Sequence, residues 1–144
     1  MASYYNWTVD PFTWHTDKKT GLYVIDNDFT ISFTDEANGM YMFLIKKGAM
    51  TDGGSIPKIF SWIAPSWSDD YKYNATFVLH DGLYGSALLP RLTADDILRS
   101  SLRDCGLSRW QASTICTAVN KFACKHYGVT HDKYNIRKYI SRVK

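Results

Sequence analysis

The sequence predicts an α+β domain in which a small N-terminal antiparallel β-sheet is followed by a three-helix segment. Three observations carry that expectation. Phe29, Ile31 and Phe33 alternate with Thr30, Ser32 and Thr34, the period of a half-buried strand. From about Asp69 the apolar spacing becomes i, i+4, i+7, as Tyr71, Ala75, Val78, Leu79 and Leu83 show. Between these two regimes the chain neither repeats nor falls into a low-complexity linker. Its 144 residues therefore read as one domain, long enough to bury a core.

Residues 1–50 are expected to be mainly β. Leu22-Tyr23-Val24-Ile25 is a short apolar run closed by the turn signal Asp26-Asn27-Asp28. The alternating run from Phe29 is followed by Asp35-Glu36-Ala37-Asn38-Gly39 and a second strand from Met40 to Ile45, an antiparallel hairpin with a five-residue loop. Trp7, Phe12 and Trp14 are expected to cover one face of this sheet. Residues 51–68 read as loop and residues 69–128 as three helices. Ser68 or Asp69 is the expected cap of the first helix, and Gly85 lies near its end. Thr93 has the form of an N-cap, with Asp95 and Asp96 in the favourable first turn of a second helix stopped by Gly106. Ser108 caps a third, which carries Trp110, Ile115, Ala118, Val119, Phe122 and Ala123 and is closed by Gly128. Residues 129–144 form a basic tail. Within it Ile136, Tyr139, Ile140 and Val143 have a helix-like spacing in a stretch short enough to be a strand.

Composition excludes several classes. Hydrophobic residues make up 45% and charged residues 22%, which is a globular balance. Three cysteines, Cys105, Cys116 and Cys124, have neither the even number nor the spacing of a disulfide framework or a zinc knuckle, and read as reduced thiols. The opening MASYYNWTVD lacks the basic and apolar regions of a signal peptide, and no apolar run approaches the ~20 residues of a membrane span. The expected location is the cytoplasm, unless the protein leaves by cell lysis or inside a particle. The net charge of +3 is mild, but Lys133, Arg137, Lys138, Arg142 and Lys144 follow the last acid, Asp132. That end is either a solvated basic face or a contact to an acidic partner, and no nucleic-acid module accompanies it. The aromatic share of 15% exceeds what a small core needs, so part of it is expected at a cleft or an interface.

The chemistry concentrates between Thr51 and Asp95. His80 lies in the apolar run Phe77-Val78-Leu79-His80-Asp81. A lone histidine there reads as a hydrogen-bonded core residue. Its neighbours offer another reading. Tyr84 sits four residues on, on the same helix face, and Asp95 comes near that face if the first two helices pack as a hairpin. Neutral His80 can then take a proton from water while Asp95 holds its other ring nitrogen. Asp81 points about 100° away round the helix. With Asp52 and the carbonyls of Gly53 and Gly54 it offers hard oxygen ligands, which suit Ca²⁺ better than zinc. Thr51-Asp52-Gly53-Gly54-Ser55 also has the form of an ordinary Asx turn.

The ordered motifs TDGGSIP, HDGLYG and R-x-x-A-D, between Gly48 and Gly106, resemble a family of unknown function found mainly in bacteriophage and bacterial genomes. HD-x-x-Y with an upstream DG loop and a downstream Asp is also similar, more distantly, to small bacterial calcium-dependent secretory phospholipases. That resemblance implies His80 as the base, Asp95 as its partner, Tyr84 in support, and Asp81 with the Asp52 loop as calcium ligands. The chain departs from those phospholipases in having no cysteines beside His80, a loop poorer in glycine, and an N-terminal β region without counterpart. Two functions follow as expectations. One is a phage-type, calcium-assisted hydrolase of an ester, lipid or cell-envelope substrate. The other is a virion component, of tail or head, in which Asp52, His80, Asp81, Tyr84, Arg91 and Asp95 form a buried polar network and Arg91 pairs with a carboxylate. An HD-type phosphohydrolase fits less well, because only His15 lies upstream as a further metal ligand.

Overall fold

The computed structural model describes residues 3–53, 58–123 and 136–144. In chain order the strands are β1 (Tyr4–Val9), β2 (Trp14–Thr16), β3 (Tyr23–Ile25), β4 (Phe29–Asp35), β5 (Gly39–Ile45) and β6 (Met50–Thr51). A single 3-10 turn at Lys58–Phe60 leads to α1 (Tyr71–Ser86), α2 (Arg91–Asp104) and α3 (Arg109–Ala123). The chain closes with the short α4 (Ile136–Tyr139) and β7 (Ile140–Arg142). The architecture is the expected α+β order.

Two antiparallel sheets form, ordered β1-β4-β5-β7 and β2-β3-β6. β4 alternates between buried and half-buried positions along its whole length, as a strand with one face on the core must. The β4–β5 ladder runs unbroken from Phe29↔Ile45 to Asp35↔Gly39. The connecting loop is therefore three residues, Glu36–Asn38, not the five expected. Gly39 takes a positive φ of 87°, and the Asp35 carboxylate accepts from Ala37 N–H and Asn38 Nδ2, which closes the tighter turn. Trp7 stacks on Phe33 at 4.4 Å and Phe12 on Phe29 at 3.9 Å, so both cover the large sheet. Trp14 instead lies on the small sheet, edge-on to Trp67.

α1 is buried nearly all round, from Tyr73 through Tyr84, and is the central element of the fold. Asp70, not Ser68 or Asp69, caps it by accepting from Lys72 N–H. Asn74 clamps the approach by bonding both N–H and C=O of Ser68. The helix runs to Ser86 and is capped by Ala87 in the left-handed region, so Gly85 lies near its end as expected. α2 begins two residues before the expected cap. Pro90 occupies the N-cap position, so Thr93 lies inside the first turn and Asp95 one turn deeper. Proline lacks the N–H that a cap must leave unpaired, which favours the earlier start. Gly106 does stop α2: Leu107 N–H reaches Leu102 O and Gly106 N–H reaches Arg103 O, a Schellman closure. Ser108 and Gln111 cap α3 reciprocally, side chain to backbone in both directions.

The basic end is not only a tail. β7 pairs with β5 through Ile45↔Ile140 to Phe43↔Arg142 and forms an edge of the large sheet. α4 lies against α1, where a Cβ on Gly85 would meet Ile136 at 3.3 Å. Gly128, Cys124, His126 and His131 lie outside the described residues.

Candidate functional site

α1 and α2 pack as an antiparallel pair, and α3 returns along α2. That arrangement brings His80 and Tyr84 from α1, Asp95 and Arg91 from α2, and Asn120 from α3 to one point. His80 Nε2 lies 2.9 Å from Asp95 Oδ1, and the Tyr84 hydroxyl donates to the same oxygen at 2.5 Å. Asn120 Nδ2 donates to Asp95 Oδ2 at 2.6 Å. Arg91 Nη1 stands 3.9 Å from that second oxygen, so it contributes charge to the carboxylate without a close bond. The Cys116 thiol donates to the Asp95 backbone carbonyl at 2.9 Å. His80 and Tyr84 also touch ring to ring, their centroids 4.2 Å apart.

This network is buried: His80, Tyr84 and Asp95 are each 5% exposed. Burial alone would raise the Asp95 carboxyl, but the hydrogen bonds from His80, Tyr84 and Asn120 outweigh it and hold the group below the usual carboxylate range. Asp95 is therefore ionised at neutral pH, and in the neutral form of His80 the nitrogen that faces it, Nε2, carries the proton. The basic lone pair then sits on Nδ1, which has no hydrogen-bond partner among the described residues. Burial pushes Cys116 up to about 12, so it stays a thiol.

Asp81 faces another way, as expected from its helix position. Its Oδ2 accepts from the Thr51 hydroxyl at 2.6 Å, and Thr51 Oγ1 accepts from Gly53 N–H at 3.1 Å. Thr51 thus ties the Asp52 loop to α1. Gly53 is required there. Its φ is 84°, and a Cβ would stand 2.9 Å from Ser66 O. Burial, and then the charge of nearby Asp52, push the Asp81 carboxyl well above the usual range; the Thr51 bond offsets only part. A like-charged pair of carboxylates with a hydroxyl beside it is a hard oxygen set, and a divalent cation relieves the repulsion that raises Asp81. The donors present fit Ca²⁺ in that respect. Among the described residues no three His, Cys, Asp or Glu side chains cluster to hold an ion, so backbone and hydroxyl oxygens would complete the shell. Gly54 and Ser55, expected as a ligand and a supporting residue, lie outside the described residues.

A family model described as "Protein of unknown function (DUF1353)" matches residues 24–119, well over half of the chain. The chain belongs to the DUF1353 family. Neither a curated protein nor a solved structure matches it. The DUF1353 span takes in Thr51, His80, Asp81, Tyr84, Arg91, Asp95 and Cys116, and ends just before Asn120. Sequence reasoning missed Thr51's bond to Asp81 and the whole contribution of α3. The third-helix pattern gave no signal for Asn120 beyond a polar residue within an otherwise apolar run. His15 is engaged elsewhere, its Nδ1 2.6 Å from Asp26 on the small sheet.

Proposed function

We propose that this DUF1353 protein is a phage-associated, calcium-assisted hydrolase of an ester, lipid or cell-envelope substrate. The observation that carries the reading is the His80 Nε2–Asp95 Oδ1 bond inside a carboxylate also held by Tyr84 and Asn120. His80 Nδ1 takes a proton from the attacking water. Asp95 keeps the ring in one tautomer and stabilises the imidazolium that forms. Tyr84 and Asn120 hold the carboxylate, so its orientation does not depend on His80. Asp81 and Asp52, with Thr51 positioning Asp81, would hold the cation. When bound, such an ion polarises a carbonyl or phosphoryl oxygen. The action is placed in the host cell or the particle, in keeping with motifs that resemble a phage and bacterial family.

The test is hydrolysis of phosphatidylglycerol vesicles and of short-chain nitrophenyl esters, with Ca²⁺ and with EGTA. The wild type is expected to turn over one of them only with Ca²⁺. His80→Ala is expected to lose about 10²–10⁴-fold while keeping a native melting profile. Absence of calcium-dependent turnover on both substrates would sink the proposal. One observation favours a second reading. The 5% exposure of His80, Tyr84 and Asp95 suits a network that locks three helices in a virion component. Under that reading the wild type is inert and the chain is recovered in purified particles.

A further inference from the structure

The first strand contains a fault that the hydrolase reading does not use. β1 pairs with β4 at Tyr4↔Asp35 and Tyr5↔Thr34, then resumes at Thr8↔Ser32 and Val9↔Ile31, one residue out of step. The extra residue is Asn6, in the left-handed region at φ 56°. The bulge resets the alternation of the strand, so that Trp7 and Val9 join buried Tyr4 on the core side. Trp7 then stacks on Phe33, and its Nε1–H is buried with no acceptor among the described residues.

Directly against the bulge lies a cavity of about 200 Å³. Trp7, Val9 and Ile31 form its sheet side, and Ala75 and Leu79 form its α1 side. Ser101 and Cys105 close it from α2, and Lys72 and Asp104 also line it. Thr8, Tyr71 and Thr76 complete a lining that mixes polar with apolar groups and opens to solvent, and the volume is comparable to that of a cavity that holds a single aromatic ring. Exposed Lys72 and Asp104 carry opposite charges, which selects against a net charge on the occupant. The Ser101 hydroxyl donates to Leu98 O and keeps its own lone pairs, and the buried Trp7 donor lacks an acceptor. These residues share the α1 face that carries Ala75 and Leu79, about 100° round the helix from His80.

We propose that this cavity is a binding site for a small neutral aromatic molecule bearing a hydrogen-bond acceptor, with the Asn6 bulge serving to build its wall. The site is independent of the His80 chemistry.

Benzamide and phenol are the probes. The full chain, labelled with ¹⁵N at tryptophan, is titrated with each up to millimolar concentration. The Trp7 indole resonance is assigned by its loss in Trp7→Phe. Expected is a saturable shift of the Trp7 indole with either probe, while the exposed Trp62 and Trp110 stay unmoved. Ala75→Leu, which fills the cavity, is expected to weaken the response at least tenfold. Should that variant fail to fold, Ser101→Val narrows the same space from α2 and is expected to do likewise. No shift at Trp7, a shift shared by all five indoles, or an undiminished response in the folded filling variant would each overturn the proposal.

Discussion

Asp81 and Asp95 are both acids on buried helix faces, and their surroundings drive them in opposite directions. Asp95 has three close donors and a nearby guanidinium, and is held ionised. Asp81 has one hydroxyl and a like-charged neighbour, and is pushed up. The signs of their linkage to pH are therefore opposite. Asp95's stabilisation is present above the unfolded carboxylate range and is lost as pH falls through its depressed folded value. Asp81 binds its proton more tightly folded than unfolded, so its contribution is favourable in acid and is lost as pH rises from about 4 through its raised folded value. Asp81→Asn keeps an acceptor for Thr51 and removes the charge. In EDTA it is expected to melt with the wild type near pH 4 and to exceed it by on the order of 1–2 kcal/mol at pH 8, from the cost of an unpaired buried carboxylate. Thermal melts across pH 4–8 check this; parallel profiles for the two proteins would refute the raising of the Asp81 carboxyl by burial and Asp52. The His80, Tyr84 and Asp95 grouping was legible because i, i+4 spacing and a short helical hairpin leave few alternatives. Asn120 and Thr51 were not, because Asn and Thr at long sequence separation carry no periodic signal.

At the scale of elements, the parts that read correctly are those where one period runs uninterrupted. β4 is the clearest, since every second residue from Phe29 to Asp35 is buried. β1 escaped for the converse reason. Its bulge places Tyr4, Trp7 and Val9 inward, a pattern that matches neither period. The start of α2 was misplaced because Thr93-Ala94-Asp95-Asp96 imitates a capped first turn, whereas Pro90 begins the helix earlier. In the small sheet β3 was legible as the apolar run ending at Ile25, whereas its partners β2 and β6, three and two residues long, carry too little pattern to be read. The bulge gives a direct test. Asn tolerates the left-handed region, glycine occupies it without strain, and a β-branched residue does not. Asn6→Gly is expected to stay within ~0.5 kcal/mol of the wild type in urea unfolding. Asn6→Val is expected to lose about 1–2 kcal/mol. Equal midpoints for the two variants would show that the left-handed conformation at Asn6 is not imposed by the fold.

The whole molecule is assembled around α1, with α2 on the side of His80 and the C-terminal return on another. The return depends on glycine. A Cβ on Gly82 would stand 2.5 Å from Ile140 Cδ1, closer than side chains approach. Ile140 is 8% exposed and pairs with Ile45 at the sheet edge, so the contact joins the last strand to both the sheet and the central helix. That long-range closure explains why residues 129–144 read as a separate basic tail: the helix-like spacing of Ile136, Tyr139 and Ile140 describes two short elements, one helical and one extended, whose partners lie far back in the chain. A double-mutant cycle tests the closure. Ile140→Ala is expected to cost about 2–4 kcal/mol through the cavity it leaves. Gly82→Ala gains roughly 1 kcal/mol in helix propensity but must displace Ile140, and is expected to be net destabilising by about 1–2 kcal/mol. In the Ile140→Ala background the added methyl has room, so Gly82→Ala there is expected to be neutral or stabilising. The resulting coupling, on the order of 1–3 kcal/mol, is measurable by urea unfolding. Strict additivity would mean that the C-terminal strand does not bear on α1 at Gly82, and that the basic end adds its edge to the sheet without helping to hold the helix that carries His80.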